Sequence, residues 1–433
     1  MSALGHWATK LPPSWRAMPL KAVASYTVSN VDKIPAENEL PVRLCNYTDV
    51  YNNQFITPDM EFMQTTATPR EIAKFRLHKD DVVITKDSES WDDIGVPALV
   101  VESADDLLCG YHLAVLRPRA EILRGRFLLR CLQARPIRVQ LELASTGVTR
   151  FGLPKDEIGK LLLPVPSPTE QDRITDYLDA EVAQIDSLVS EKQRMLSLLE
   201  EKRAALASRA VVRGLDPSGK MKSCGLPWLP SIPSHWQVQR GKQLFREIDD
   251  RSETGQETLL SLRMERGLVP HNDVSEKPIP AENLIGYKIA RPNEIVLNRM
   301  RAASGLVAVT PQHGIVSPDY AVFRALDGVD PDYFTHLFKT PLLQAVFRSL
   351  SKGLGTGQSG FLRLYSEDFL SIKLPVPPLA EQKAIVAELA RGRERTAEVE
   401  AALEDSVKLL KERRAALITA AVTGQIEPDA MAA

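Results

Sequence analysis

Apolar residues in two stretches of the chain recur at the three-and-four spacing of a helix that buries a single stripe. Val182, Ile185, Val189, Leu196, Leu199, Leu206 and Ala210 follow that rhythm in the first stretch, interrupted by the charges of Lys192 and Arg203. Leu403, Val407, Leu410, Leu417 and Ala421 follow it in the second, interrupted by Arg414. A stripe of this kind predicts a long helix whose partner is another long helix. Pro164-Val165-Pro166 and Pro375-Val376-Pro377 precede the stretches and force an extended approach, because proline cannot continue a helix. Glu170 and Glu381 then open the helices, where the positive end of the helix dipole favours a carboxylate. Gly214 with Pro217, and Gly424 with Pro428, are the stop signals. About 40 residues lie between start and stop, or roughly 60 Å of helix.

The two stretches are copies. LLLPVPSPTEQDRI at 161–174 returns as IKLPVPPLAEQKAI at 372–385, and LLEEKRAALASRAV at 198–211 returns as LLKERRAALITAAV at 409–422, all at one offset of 211 residues. A weaker repeat precedes each copy. LPPSWRAMPLKAV at 11–23 resembles IPSHWQVQRGKQL at 232–244, aligning Trp15 with Trp236 and Lys21 with Lys242. The predicted order is lobe, helix, lobe, helix, with bounds 1–168, 169–217, 218–378 and 379–433 and a Pro- and Gly-containing linker over 216–233. Within the lobes, short β-branched runs bounded by turn residues predict strands at 81–85, 96–102 and 111–116, and again at 294–298, 305–310 and 320–324. Helical character follows at 124–134 and at 333–350. A Thr-Gly loop comes next in each lobe, at 145–150 and 353–360, and then a last amphipathic stretch. The expected class is α+β: two mixed α/β lobes and two long antiparallel coiled-coil helices, related by an internal pseudo-two-fold repeat.

Composition narrows the class further. At 433 residues, 44% hydrophobic and 25% charged, the chain reads as a multi-domain soluble protein. Its apolar runs are too short for a membrane span, and MSALGHWATK lacks the basic and apolar regions of a signal peptide. Cys45, Cys109, Cys131 and Cys224 have no metal-ligand or redox spacing, which predicts free thiols in a reducing cytoplasm. The net charge is −2, but it is unevenly spread. Lys+Arg minus Asp+Glu is 20−20 for 1–168, 7−10 for 169–217, 19−16 for 218–378 and 8−10 for 379–433. The helices carry the acidity, and neutral to slightly basic lobes leave room for local patches that bind nucleic acid.

Catalytic signatures are missing from the sequence. GTGQSG at 355–360 fits GxGxxG, yet it follows a polar segment and leads to prolines, without the strand and helix that a phosphate site needs. No GK[ST] is present. The Asn/Asp-Pro-Pro-aromatic tetrapeptide of an adenine methyltransferase is approached by Pro12-Pro13-Ser14-Trp15, but Leu11 stands where the acid or amide would be. The expectation is a chain with no catalytic activity alone.

The alternation of lobes and repeated helices resembles the specificity (S) subunit of type I restriction–modification systems. So do the PVP…EQ helix starts, the KRAAL and RRAAL tails, and the runs NRMRAASGLVAVTPQHGIVSPDYAVFR at 298–324 and TKDSESWDDIGVPALVVE at 85–102. The resemblance covers residues 11–428. It implies that each lobe is a target recognition domain reading one half of a split double-stranded DNA target. It also implies that the paired helices space the lobes and bind two N6-adenine methyltransferase (M) subunits. Restriction (R) subunits would join through them. The cofactors would then belong to the partners: S-adenosylmethionine to the methyltransferase, ATP and Mg to the restriction subunit, and none to this chain. On the polar loops of lobe one the candidate DNA contacts are Lys86, Ser88, Glu89, Thr146, Thr149 and Arg150. In lobe two they are Asn298, Arg299, Arg301, Lys352, Thr356, Gln358 and Ser359, and Tyr111 and Tyr320 could stack or insert. Exposed faces near the helix starts and tails, with Glu170, Gln171, Arg203, Glu381, Gln382 and Arg414, are the expected methyltransferase contacts. The alternative is a coiled-coil adaptor that binds proteins and has no DNA specificity.

Overall fold

Pro-Val-Pro forms the end of a strand in both copies. Leu162–Val165 pairs antiparallel with Arg16–Pro19, and Lys373–Val376 pairs antiparallel with Gln237–Arg240. Ala17 faces Pro164 as Val238 faces Pro375, so the weak repeat and the strong repeat meet in one ladder. The computed structural model describes residues 3–275, 277, 279–353, 362–426 and 431. The chain divides into two compact units, residues 1–193 with 403–433, and residues 194–402. Each unit takes one half of each long helix, Pro168–Arg213 and Leu379–Val422.

The first unit is built on a five-stranded sheet in the order Ala24–Val28, Leu113–Pro118, Val82–Thr85, Pro97–Val100, Phe55–Ile56. Strands Val82–Thr85 and Pro97–Val100 are buried along their whole length. Helices Gly125–Gln133 and Arg135–Ala144 cover one face, and a three-stranded sheet of Leu40–Cys45, Met63–Ala67 and Leu107–Cys109 is added beside it. The core continues into the helix pair, where Ile174, Leu178 and Val182 meet Ile418, Ala421 and Val422.

The second unit has a four-stranded sheet in the order Phe245–Ile248, Tyr320–Ala325, Ile295–Asn298, Val307–Val309. That is the order of the first four strands of the other sheet. Its core is aromatic: Phe245, Phe323, Phe334, Phe338, Phe347 and Phe369 are fully or nearly fully buried and stack or tilt against one another. Ala210, Val211, Val212 and Ile385 join this core from the long helices, and buried Tyr333 donates its hydroxyl to the Val211 carbonyl at 2.8 Å.

Several sequence expectations are corrected. The helix expected over 333–350 is two helices, Pro331–Phe338 and Pro341–Leu350, because Pro341 starts a new helix with Thr340 as its N-cap. Residues 216–233 are not simply a linker. Met221–Leu226 and Leu229–Pro233 pair as a hairpin that buries Leu226, Leu229 and Ile232. The helical stripe is only partly enclosed: Val182, Ile185 and Ala210 are buried, Val189, Leu196 and Leu199 are half-buried, and Leu206 is 53% exposed.

The long helices run antiparallel within each unit. In the first, Trp15 packs beside the C-terminal Gly424 of the second helix and donates to Glu170 at the start of the first, at 3.4 Å. In the second, Trp236 lies beside Gly214 at the end of the first helix and donates to Glu381 at the start of the second, at 3.1 Å. Both glycines have the positive φ that ends a helix without a side-chain penalty, +76° and +69°.

Candidate nucleic-acid interface

In the first unit the candidate residues gather where Val82–Thr85 ends and Leu113–Pro118 begins. Thr85 faces Leu113 in the ladder, so the residues just beyond them, Lys86 and His112, are brought side by side, and Lys86 N donates to the His112 carbonyl at 2.8 Å. The Asp87 carboxylate accepts from Lys86 Nζ at 2.9 Å and from His112 Nδ1 at 2.5 Å. Burial alone would raise the Asp87 carboxyl, but the hydrogen bonds from Lys86 and His112 prevail and hold it below its ordinary value. Exposed Arg150 donates to His112 Nε2 at 3.4 Å, and the Tyr111 ring is tilted against the imidazole, with ring centres 3.9 Å apart. Glu89, Thr146 and Thr149 are exposed around this group.

Two expectations fail here. Ser88 is buried, and its hydroxyl accepts from Ser90 N at 3.2 Å, so it shapes the loop and presents nothing outward. Tyr111 is in a turn ahead of the strand, which begins only at Leu113; the residue is 48% exposed, and the following His112 has a φ of +69°. His112 and Asp87 were missed by sequence reasoning. A histidine next to a tyrosine and an aspartate next to a lysine carry no local signal, and only strand pairing brings them together.

The second unit has its charged loops at the matching strand ends. Arg299 donates to the carbonyls of Asp319 and Pro318 at 2.7 and 3.2 Å, and Arg363 Nη2 pairs with the Asp319 carboxylate at 3.1 Å. The Arg363 guanidinium stands 5.9 Å from the ring centre of exposed Tyr365. Burial, then the nearby Arg363 charge, push Arg299 down from its ordinary value. Arg301 is exposed, and exposed Lys352 pairs with Asp368 at 2.8 Å. Asn298 is a correction: it is buried and accepts from the backbone N–H groups of Met300 and Arg301 at 3.0 and 3.2 Å, which fixes the loop. Tyr320 is half-buried against the core. Thr356, Gln358 and Ser359, like the GTGQSG run, lie outside the described residues.

The six residues expected to meet a partner are mostly spent inside the chain. Gln171 and Gln382 are fully buried, a correction to their expected exposure. Gln171 accepts from Arg124 N and donates to the carbonyls of Ile122 and Pro166 at 2.8, 2.8 and 2.9 Å. Gln382 does the same with Asp330 N, Gly328 O and Pro377 O at 2.8, 3.0 and 2.9 Å. Glu170 forms a reciprocal cap with Ser167, whose backbone N–H and hydroxyl both donate to it, while Glu381 accepts from Trp236 and His235. Arg203 pairs with Glu400 across the helices of the second unit. Arg414 pairs across those of the first with Asp186 at 2.9 Å, and it also reaches Gln54. Among their exposed side chains the helices also carry large apolar ones: Leu188, Met195, Leu198, Val399 and Leu409. In the second unit a groove of about 620 Å³ runs between them, lined by Leu199, Leu206, Ala210, Leu389 and Thr396 and closed by His336, whose imidazole burial pushes down to about 4. Among the described residues no group of three or more His, Cys, Asp or Glu side chains is placed to hold a metal ion, and no helix is long and apolar enough to cross a membrane.

The type I restriction modification DNA specificity domain matches residues 283–409. The EcoKI specificity subunit of Escherichia coli K12, a type I restriction enzyme subunit, is 23% identical over 406 residues, covering 88% of this chain and 82% of its own. The putative type I MjaX specificity subunit of Methanocaldococcus jannaschii is 20% identical over 393 residues, with 88% and 87% covered. Among solved structures, a chain from work on complex assembly and conformational transition of the type I R-M system superposes with a TM-score of 0.68 at 18% identity, covering 96% of this chain and 99% of that one. That likeness extends the shared fold to nearly the whole length.

Proposed function

We propose that this chain is a specificity subunit of a type I restriction–modification system and that it reads a bipartite double-stranded DNA target, one half with each unit, for methyltransferase and restriction partners. The observation that carries the reading is internal: two units with one sheet order and one tryptophan–glutamate contact at the helix start place different charged groups at the same strand ends. A duplicated frame with exchanged polar contents is what two readers of two half-sites need.

In this reading the chain supplies recognition and no bond-making. S-adenosylmethionine belongs to two methyltransferase subunits that modify adenine N6, and ATP and Mg belong to the restriction subunit. The exposed leucines and methionine of the long helices are the apolar surface that protein partners cover, because a solvated helix pair has no other use for Leu188, Met195, Leu198 and Leu409. Glu170, Arg203, Glu381 and Arg414 contribute indirectly by fixing the helices. The subunit works in the cytoplasm, where the duplex DNA is.

Co-expression with a cognate type I methyltransferase subunit, followed by mapping of methylated adenines, tests the proposal. The expected result is N6-methyladenine confined to one split sequence and lost when this chain is omitted. Methylation that is unaffected by omitting the chain overturns it. So does a complex that shifts duplex DNA without sequence preference.

A further inference from the structure

The charged corners of the two units share a backbone frame residue for residue. Thr85 faces Leu113 across the first central ladder as Asn298 faces Tyr320 across the second, so Lys86 matches Arg299 and His112 matches Asp319. Leu153 N donates to the Lys86 carbonyl at 2.9 Å, and Leu364 N donates to the Arg299 carbonyl at 2.9 Å. An isolated bridge closes the neighbouring loop in both units, Thr146 with Gly152 and Lys352 with Arg363. The frame is constant and its side chains are not: in it Gly152 holds the place of Arg363, and the arginine of the first corner, Arg150, stands two residues earlier. One corner presents Lys86, His112 and Arg150, the other Arg299, Asp319 and Arg363.

We propose that these matched corners are the base readers, and that Arg150 in the first unit and Arg363 in the second each address a guanine through its O6 and N7 atoms. The assignment rests on the specificity-subunit reading above and deepens it. Arginine is the side chain whose planar fork fits the two major-groove acceptors of guanine. In both corners the guanidinium is held beside an oriented partner without being consumed by a bidentate carboxylate. Arg150 meets His112, which Asp87 fixes through Nδ1, so that Nε2 is the atom left to accept from the guanidinium. Arg363 gives one Nη to Asp319 and lies near the Tyr365 ring. Each is partly solvated, and an exposed ring belongs to each corner, Tyr111 against His112 and Tyr365 beside Arg363. His112 and Asp87 are positioning residues, as is Asp319.

The test uses the complex of this chain with its methyltransferase. The methylated sequence is determined for the wild type, Arg150→Ala, Arg150→Lys and Arg363→Ala, with co-purification of the methyltransferase as the control for folding. Arg150→Ala should relax one G·C position in one half-site, lowering the preference there roughly 5- to 150-fold, while the other half-site and the spacing stay as they were. Arg363→Ala should relax a position in the other half-site. Arg150→Lys keeps the charge but loses the fork and should also relax its position. In the wild type, 7-deazaguanine at the affected position should weaken binding, with no further loss in Arg150→Ala. An unchanged motif in the variants overturns the proposal, as does relaxation of the same half-site by both. A uniform loss of affinity with sequence preference intact makes these arginines phosphate contacts and also overturns it. A wild-type complex with no sequence-restricted methylation at all sinks the underlying reading instead, which separates the two failures.

Discussion

The side-chain carbonyl of Gln382 accepts the backbone N–H of Asp330 at 2.8 Å, at the N-cap of helix Pro331–Phe338. Its amide donates to Gly328 and Pro377, so one buried residue joins a lobe helix, the turn before it and the approach to the long helix. Gln171 repeats all three bonds around Arg124. The two residues of the repeated Glu-Gln pair thus have different jobs. The glutamate receives a tryptophan at the helix start, and the glutamine fastens that start to the lobe.

Truncating this fastening is expensive. Gln382→Ala leaves the Asp330 N–H and the Gly328 and Pro377 carbonyls without this partner, of which only the Pro377 bond is fully buried. The expected cost is about 1–3 kcal/mol, because the buried carbonyl loses its compensation for desolvation and the part-buried groups lose a fixed hydrogen bond. Glu381→Gln retains an acceptor for Trp236 at a half-buried position and should cost less. Denaturant midpoints of the two variants against the wild type check the order, and a milder Gln382→Ala than Glu381→Gln contradicts it.

Much of this arrangement was legible in the sequence because it was repeated. The single offset of 211 residues located both helix starts, and the aligned Trp15 and Trp236 turned out to contact the aligned Glu170 and Glu381. Burial of the aligned glutamines was not legible. Gln is mostly a surface residue, and nothing local tells a latch from a contact. The strands Val82–Thr85 and Ile295–Asn298 were visible as β-branched runs, whereas Asp87 and His112 become neighbours only when strands 25 residues apart in sequence pair. The sheet of Leu40–Cys45, Met63–Ala67 and Leu107–Cys109 was missed for the same reason, since two of its edges come from distant, short segments.

Arg203 and Glu400 form an ion pair between the long helices within the second unit. Their side chains are 31% and 23% exposed, so water screens the attraction and no large stabilisation follows. A double-mutant cycle with Arg203→Ala and Glu400→Ala should give a coupling of about 0.5–1 kcal/mol. The charge-swapped pair Arg203→Glu with Glu400→Arg should recover most of the loss of either single reversal. Denaturation midpoints that simply add would show that the pair contributes nothing beyond its separate contacts.

Arg130, almost fully buried, and Arg126 both donate to Asp179 of the first long helix at 2.6 Å. Burial alone would raise the Asp179 carboxyl, but these hydrogen bonds and the guanidinium charges outweigh it and hold the carboxyl below its ordinary range. A carboxylate with a lowered folded pKa contributes stability above its unfolded value, about 3.9, and loses it as the pH falls through the folded value. Asp179→Asn should therefore be less stable than the wild type near neutral pH, with the gap closing below about pH 4. Urea midpoints for both proteins across that range decide it. A gap that is constant with pH removes the ion pair from the account.

Arg301 and Arg299 are two residues apart and should behave differently on DNA. Arg301 is exposed on a loop whose backbone is fixed by Asn298, which suits a phosphate contact. Arg301→Ala should weaken binding alike for every duplex and reduce the magnitude of the log–log salt slope by about 1, as expected when one counterion fewer is released. Arg299 instead braces the backbone carbonyls of Pro318 and Asp319 beside Arg363. Its replacement by alanine frees the segment that positions the second corner, so preference between target and mismatched duplex should fall along with affinity. Titrating KCl against both variants with matched and mismatched duplexes separates these effects, and an Arg301→Ala complex with the wild-type slope removes Arg301 from the phosphate contacts.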